Sequence, residues 1–188
     1  MVVKRIFYAC FALYPLMTWG QEFEAKVKLV NFSSDHVKKI HHAITLIKKV
    51  ILSEDFKQRV ITHSVNGKKT FVDNKGMSNE EIYRIILEGS ELVSPEKNGR
   101  MDIELELYEQ DNTTIGYTYP DTGRIWINQK YFQRYTPVQV ADNLFHEWLH
   151  KLGFDHSVKY NTKRNFSVPY ALGYLMEELA AKHYIPQP

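Results

Sequence analysis

His146-Glu147-Trp148-Leu149-His150 places two histidines four positions apart, with a glutamate directly after the first. On a helix, side chains four apart stand one above the other on one face. Both imidazoles then reach one metal ion at about 2.0–2.1 Å. Glu147 is turned away by about 100° per residue, so it points beside the ion, where a base for an activated water belongs. The string continues Lys151-Leu152-Gly153-Phe154-Asp155-His156. A glycine three residues after the second histidine takes a positive φ at little cost, so the helix can stop there and the chain can turn back. That return makes His156 the third ligand. The chemistry this set performs is metal-assisted hydrolysis, with His146, His150 and His156 as metal ligands and Glu147 as general base. A structural zinc site closes its fourth position with another protein ligand and favours cysteine, and Cys10 is the sole cysteine of the chain.

The elements that must hold these residues are legible from capping and periodicity. Thr136-Pro137-Val138-Gln139 combines an N-cap, a proline at the first helical position and a glutamine at the third. The helix it opens carries Ala141, Leu144, Phe145, Trp148, Leu149 and Leu152 on its core face, and Gly153 ends it. Upstream, residues 23–32 alternate as a strand. Ser33-Ser34-Asp35 caps a helix with Val37, Ile40, Ile44, Ile47 and Ile51 on one face. Asn66-Gly67 is a turn signal for a hairpin pairing residues 60–65 with 69–72. Ser78 and Glu81 form a capping box before a helix carrying Ile82, Ile85, Ile86 and Leu92. Residues 101–108 alternate strictly as a half-exposed strand, followed by short strands at 115–119 and 124–128, and a last helix runs from about Tyr170 to Lys182. Helices interleaved with short strands predict an α+β fold in one domain.

The string H-E-W-L-H-K-L-G-F-D-H resembles the signature H-E-x-x-H-x-x-G-x-x-H of the metzincin clan of zinc peptidases. The order of elements resembles that clan loosely over most of the chain. The resemblance implies a metzincin-like zincin: a small mixed sheet, an active-site helix and a short C-terminal subdomain, with Zn²⁺ between an upper part (about 21–153) and a lower part (about 154–188). It also implies that the segment Gly123 to Gln129 pairs with extended substrate. Metzincins carry a methionine turn beneath the zinc, and in the astacin and serralysin branches the tyrosine of that turn approaches the metal. Ser167-Val168-Pro169-Tyr170 looks like a shortened relative without the methionine. Tyr170 is thus implied as an oxyanion-stabilising catalytic residue. Either the turn is rebuilt around Pro169, or Met176 reaches under the site.

The first twenty residues differ from the rest. Lys4 and Arg5 precede an uncharged run from Ile6 to Trp19, and Thr18-Trp19-Gly20 sets small residues before a cut ahead of Gln21. This is a signal-peptide pattern, implying a secreted or periplasmic protein. Removing 1–20 takes two of the 24 basic residues and none of the 22 acidic ones, leaving 22 against 22. A neutral chain does not suit nucleic acid, and no stable membrane association is expected after cleavage. The mature chain of 21–188 would lack cysteine, so it relies on its core and metal rather than disulfides.

The function expected from the sequence is that of a monomeric zinc metalloendopeptidase acting on a peptide or protein. The alternatives are an exported zinc hydrolase of non-protein amides, such as cell-wall peptide crosslinks, and an inactive metal-binding relative. Asp155 either orients a ligating imidazole or is a solvated helix-end carboxylate. Tyr117, Tyr119 and Trp126 either line a substrate groove or pack on the sheet. His41, His42, His63 and His183 are expected to be solvated.

Overall fold

A computed structural model describes residues 22–185. The expected signal segment, residues 1–20, and the 186–188 end lie outside the described residues. The elements run β1 (Glu24–Val30), α1 (Ser34–Ile51), α2 (Glu54–Thr62), β2 (Ser64–Val65), β3 (Lys68–Lys69), α3 (Asn79–Glu88), β4 (Arg100–Tyr108), β5 (Gly116–Thr118), β6 (Arg124–Asn128), α4 (Gln129–Phe132), α5 (Pro137–Lys151) and α6 (Val168–His183). A 3-10 helix, Arg164–Phe166, precedes α6. The fold is α+β, with one mixed four-stranded sheet and one two-stranded hairpin.

The alternation of β4 sets the layering. Met101, Ile103, Leu105 and Leu107 are buried against helices, while Asp102, Glu104 and Glu106 stay half-buried on the other face. On that outer face Arg124 pairs with Glu104 and, at 2.6 Å, with Glu106. Under the sheet lies α5, packed against both α1 and α6. Its Ala141, Leu144, Phe145, Trp148 and Leu149 are completely buried, each large side chain contributing about 1.5–3 kcal/mol by leaving water. None of the described helices is long and apolar enough to cross a membrane.

Three expectations change. Residues 54–62 form a helix rather than leading into a strand from Val60. Ser53 accepts from the Phe56 N–H at 3.1 Å, and Phe56 and Val60, four apart, are both fully buried. The hairpin is correspondingly short, two pairs around Asn66-Gly67, whose positive φ values suit the turn. Gly89 ends α3 in the left-handed region, so Leu92 lies beyond that helix. The sheet order is β1-β4-β6-β5, with β6 parallel to β4 and antiparallel to β5. The Gly123 to Gln129 segment is therefore interior, paired on both sides, and cannot take up a substrate strand. The free edge next to the site is β5.

Candidate metal centre

Helix α5 is fixed before any ligand is considered. Thr136 accepts from the Gln139 N–H, and the Gln139 side chain accepts from the Thr136 N–H at 3.1 Å, completing the cap. Mid-helix, the buried Trp148 indole donates to Glu91 Oε1 at 2.8 Å, and the same oxygen accepts from the Asp102 N–H of β4 at 2.9 Å. At its end, the buried Lys151 donates to the carbonyls of Tyr119, at 2.9 Å, and Thr122. Trp148 thus ties the helix to β4 through Glu91, and Lys151 ties it to the turn that joins β5 and β6.

Beyond Lys151 the chain reverses as the glycine predicts. Gly153 has φ of 92°, its N–H donates to the His150 carbonyl, and the Phe154 N–H donates to the Leu149 carbonyl. This is a Schellman stop. It delivers His156 to the face bearing His146 and His150, whose ligating atoms all lie within 4.8 Å of one another.

Two of the three rings are held from their far sides. His150 Nδ1 lies 2.8 Å from the Phe154 carbonyl, and His156 Nδ1 lies 3.2 Å from the Ser157 carbonyl. Donation to those oxygens leaves each Nε2 as a bare acceptor. His146 Nε2 and His156 Nε2 then face each other at 3.2 Å. With both rings in the tautomer that ligates, two lone pairs at that separation would repel unless a cation lay between them. Two nitrogens on one tetrahedral ion at 2.0–2.1 Å stand about 3.3 Å apart. Burial pushes all three imidazoles below the ordinary histidine value, His146 furthest, and each positive charge would oppose the next. Neutral imidazoles are the form that ligates. The three histidines therefore fit a shared metal ion.

Glu147 is buried, and lines the cleft of about 510 Å³ that also holds the three histidines. Burial pushes its carboxyl up to about 8, with the Lys151 charge acting the other way. Tyr170 joins them: its ring centroid lies 4.6 Å from that of His146 and 4.7 Å from that of His156. Burial pushes its phenol up, so it remains a hydrogen-bond donor at neutral pH. All five residues singled out by sequence thus meet in one place. Pro169 sits at the start of α6, and Met176 is buried core further along the same helix.

Other residues separate from these. Asp155 is exposed and accepts from the His156 N–H at 2.7 Å, standing 3.8 Å from His150 Nδ1, which has a closer partner in Phe154. Tyr117 stacks on Trp126 at 5.2 Å and meets Tyr119 at 5.7 Å, and of the three only Tyr117 lines the cleft. His63 is packed rather than solvated, stacked on Phe71 at 4.1 Å.

Sequence reasoning missed Glu91, Asp142, Arg164, Gly116 and Gly173. A Cβ on Gly173 would come within 2.5 Å of the Asp142 carboxylate, and one on Gly116 within 2.9 Å of the Asn143 side chain. These two glycines let α6 and β5 press against α5. No family model matches the chain, and no curated protein does so either.

Proposed function

We propose that this protein is an exported zinc metalloendopeptidase of metzincin-like design. The observation that carries the reading is the convergence of three neutral imidazoles on one point beside a buried glutamate in an open cleft. An all-imidazole set with the fourth position left for water suits Zn²⁺. Zinc bound there supplies Lewis acidity, which lowers the pKa of water to about 7 and polarises a substrate carbonyl.

The chain's own groups do the rest. His146, His150 and His156 hold the ion, and the Phe154 and Ser157 carbonyls fix the orientation of His150 and His156. Glu147 accepts the proton of the attacking water and gives it to the departing amine. The positive charge of a metal ion beside it would offset that burial and hold the carboxyl in the ionised form that accepts a proton. Tyr170 donates its hydroxyl to the carbonyl oxygen as that oxygen gains negative charge. The β5 edge, Gly116–Thr118, offers backbone groups to an extended peptide lying along the cleft.

The test is Glu147→Gln in the zinc-loaded protein, assayed on a mixed peptide library. Turnover falls by at least about a hundredfold while zinc content is kept. Retention of near-normal rates with zinc in place overturns the role of Glu147.

A further inference from the structure

Arg164 stands apart from the other described arginines. Arg59, Arg84, Arg100 and Arg124 each pair with a carboxylate, and Arg134 is exposed to solvent. Arg164 is half-buried, has no carboxylate within ion-pairing distance among the described residues, and buries its Nε without a hydrogen-bond partner. Its guanidinium lies over the Tyr170 ring, 4.5 Å from the centroid. That ring also neighbours His146 and His156. The arginine is thus one aromatic ring away from the metal centre, and it lines the cleft.

A second cation shares that wall. The Val72 N–H donates to the Phe166 carbonyl at 2.8 Å, which docks the 72–76 loop onto the segment carrying Arg164. Lys75 of this loop lines the same cleft and has no ion pair among the described residues. Asp142 and Glu177 line the neighbouring cavity behind His146, which Arg164 also borders. Lys75 and Arg164 thus share the cleft with the exposed Asp155, whose carboxylate is not within ion-pairing distance of either.

We propose that Arg164, assisted by Lys75, binds a carboxylate of the substrate, so that the protein prefers peptides with an acidic group close to the scissile bond. The planar guanidinium matches a carboxylate through the terminal N–H groups it can turn to the cleft. The carboxylate belongs either to an Asp or Glu side chain or to the substrate's own C-terminus. This proposal rests on the peptidase reading, so two measurements are needed.

The first uses zinc-loaded protein and peptide pairs differing only in charge: Glu against Gln beside the cleaved bond, and a free C-terminal carboxylate against an amide. The acidic member of one pair wins by about tenfold or more in kcat/KM, expressed in KM, the scale of one hydrogen bond to a charged group. Which pair shows the preference identifies the source. In Arg164→Gln the ratio falls toward one, Arg164→Lys keeps part of it, and Lys75→Gln reduces it. The second follows the Arg164 Nε–H resonance, identified by its loss in Arg164→Gln, during titration with acetate and with acetamide. Acetate moves it and acetamide does not. Cleavage indifferent to charge, or an Nε–H that ignores acetate, overturns the proposal. No cleavage of any peptide together with an acetate response sinks the peptidase reading and sustains the carboxylate site.

Discussion

His150 donates from Nδ1 to the carbonyl of Phe154, 2.8 Å away, inside the same turn that brings His156 to the metal centre. One backbone reversal therefore orients the second ligand and delivers the third. Both depend on Gly153, which holds φ at 92° with Leu92 only 3.3 Å from where a Cβ would be.

Gly153→Ala should accordingly cost about 1 kcal/mol of stability from backbone strain and weaken zinc binding by about tenfold or more. Competition with a chelating dye measures the affinity, and urea unfolding measures the stability. An unchanged zinc affinity would show that the turn does not organise the ligands.

A second prediction concerns the hold on α5. Trp148→Phe keeps the aromatic bulk but leaves Glu91 Oε1 with only the Asp102 N–H, while Oε2 already lacks a partner. A buried carboxylate losing a donor costs about 1–3 kcal/mol. Thermal melts should show the loss, and Glu91→Gln combined with Trp148→Phe should be less destabilising than the sum of the two single changes. Simple additivity would mean the contact carries no energy.

How much of this was open to sequence reasoning follows from range. The ligands, Glu147, the Thr136 cap and the Gly153 stop are local patterns within 21 residues, and each holds its expected place in the structure. Arg164, Glu91 and Asp142 acquire meaning only from partners far along the chain, so their spacing carries no signal. The run Val60-Ile61-Thr62 is β-branched and reads as strand, yet packing of Phe56 and Val60 makes it helical. Strand order has no local signature either, which is why the free edge is β5 rather than the segment 123–129.

Asp142 supplies a pH prediction. Burial, and then the Glu177 charge, push its carboxyl from 3.8 up to about 7. Between those values the folded protein holds a proton that the unfolded chain has released, so stability falls as pH rises through that window. In chelated protein, Asp142→Asn should remove this slope and gain about 2 kcal/mol at pH 8, less than the full shift because the carboxyl borders an open cavity. Urea unfolding at pH 4 and pH 8 checks it. A gain at pH 4 equal to that at pH 8 would refute the titration.

Tyr170→Phe removes only the hydroxyl, and the ring contacts with His146 and His156 remain. Zinc content and fold should survive, while kcat drops by about tenfold to a thousandfold with little change in KM, the range for one oxyanion donor. Unaltered kcat would reduce Tyr170 to a packing residue.

The central claim is that His146, His150 and His156 share one zinc ion. Mass-spectrometric metal analysis of the protein after zinc loading and desalting tests it most directly, run beside His156→Ala. About one zinc per chain is expected in the wild type, reduced several-fold or more in His156→Ala. Equal zinc in both proteins, or none in the wild type, would contradict it.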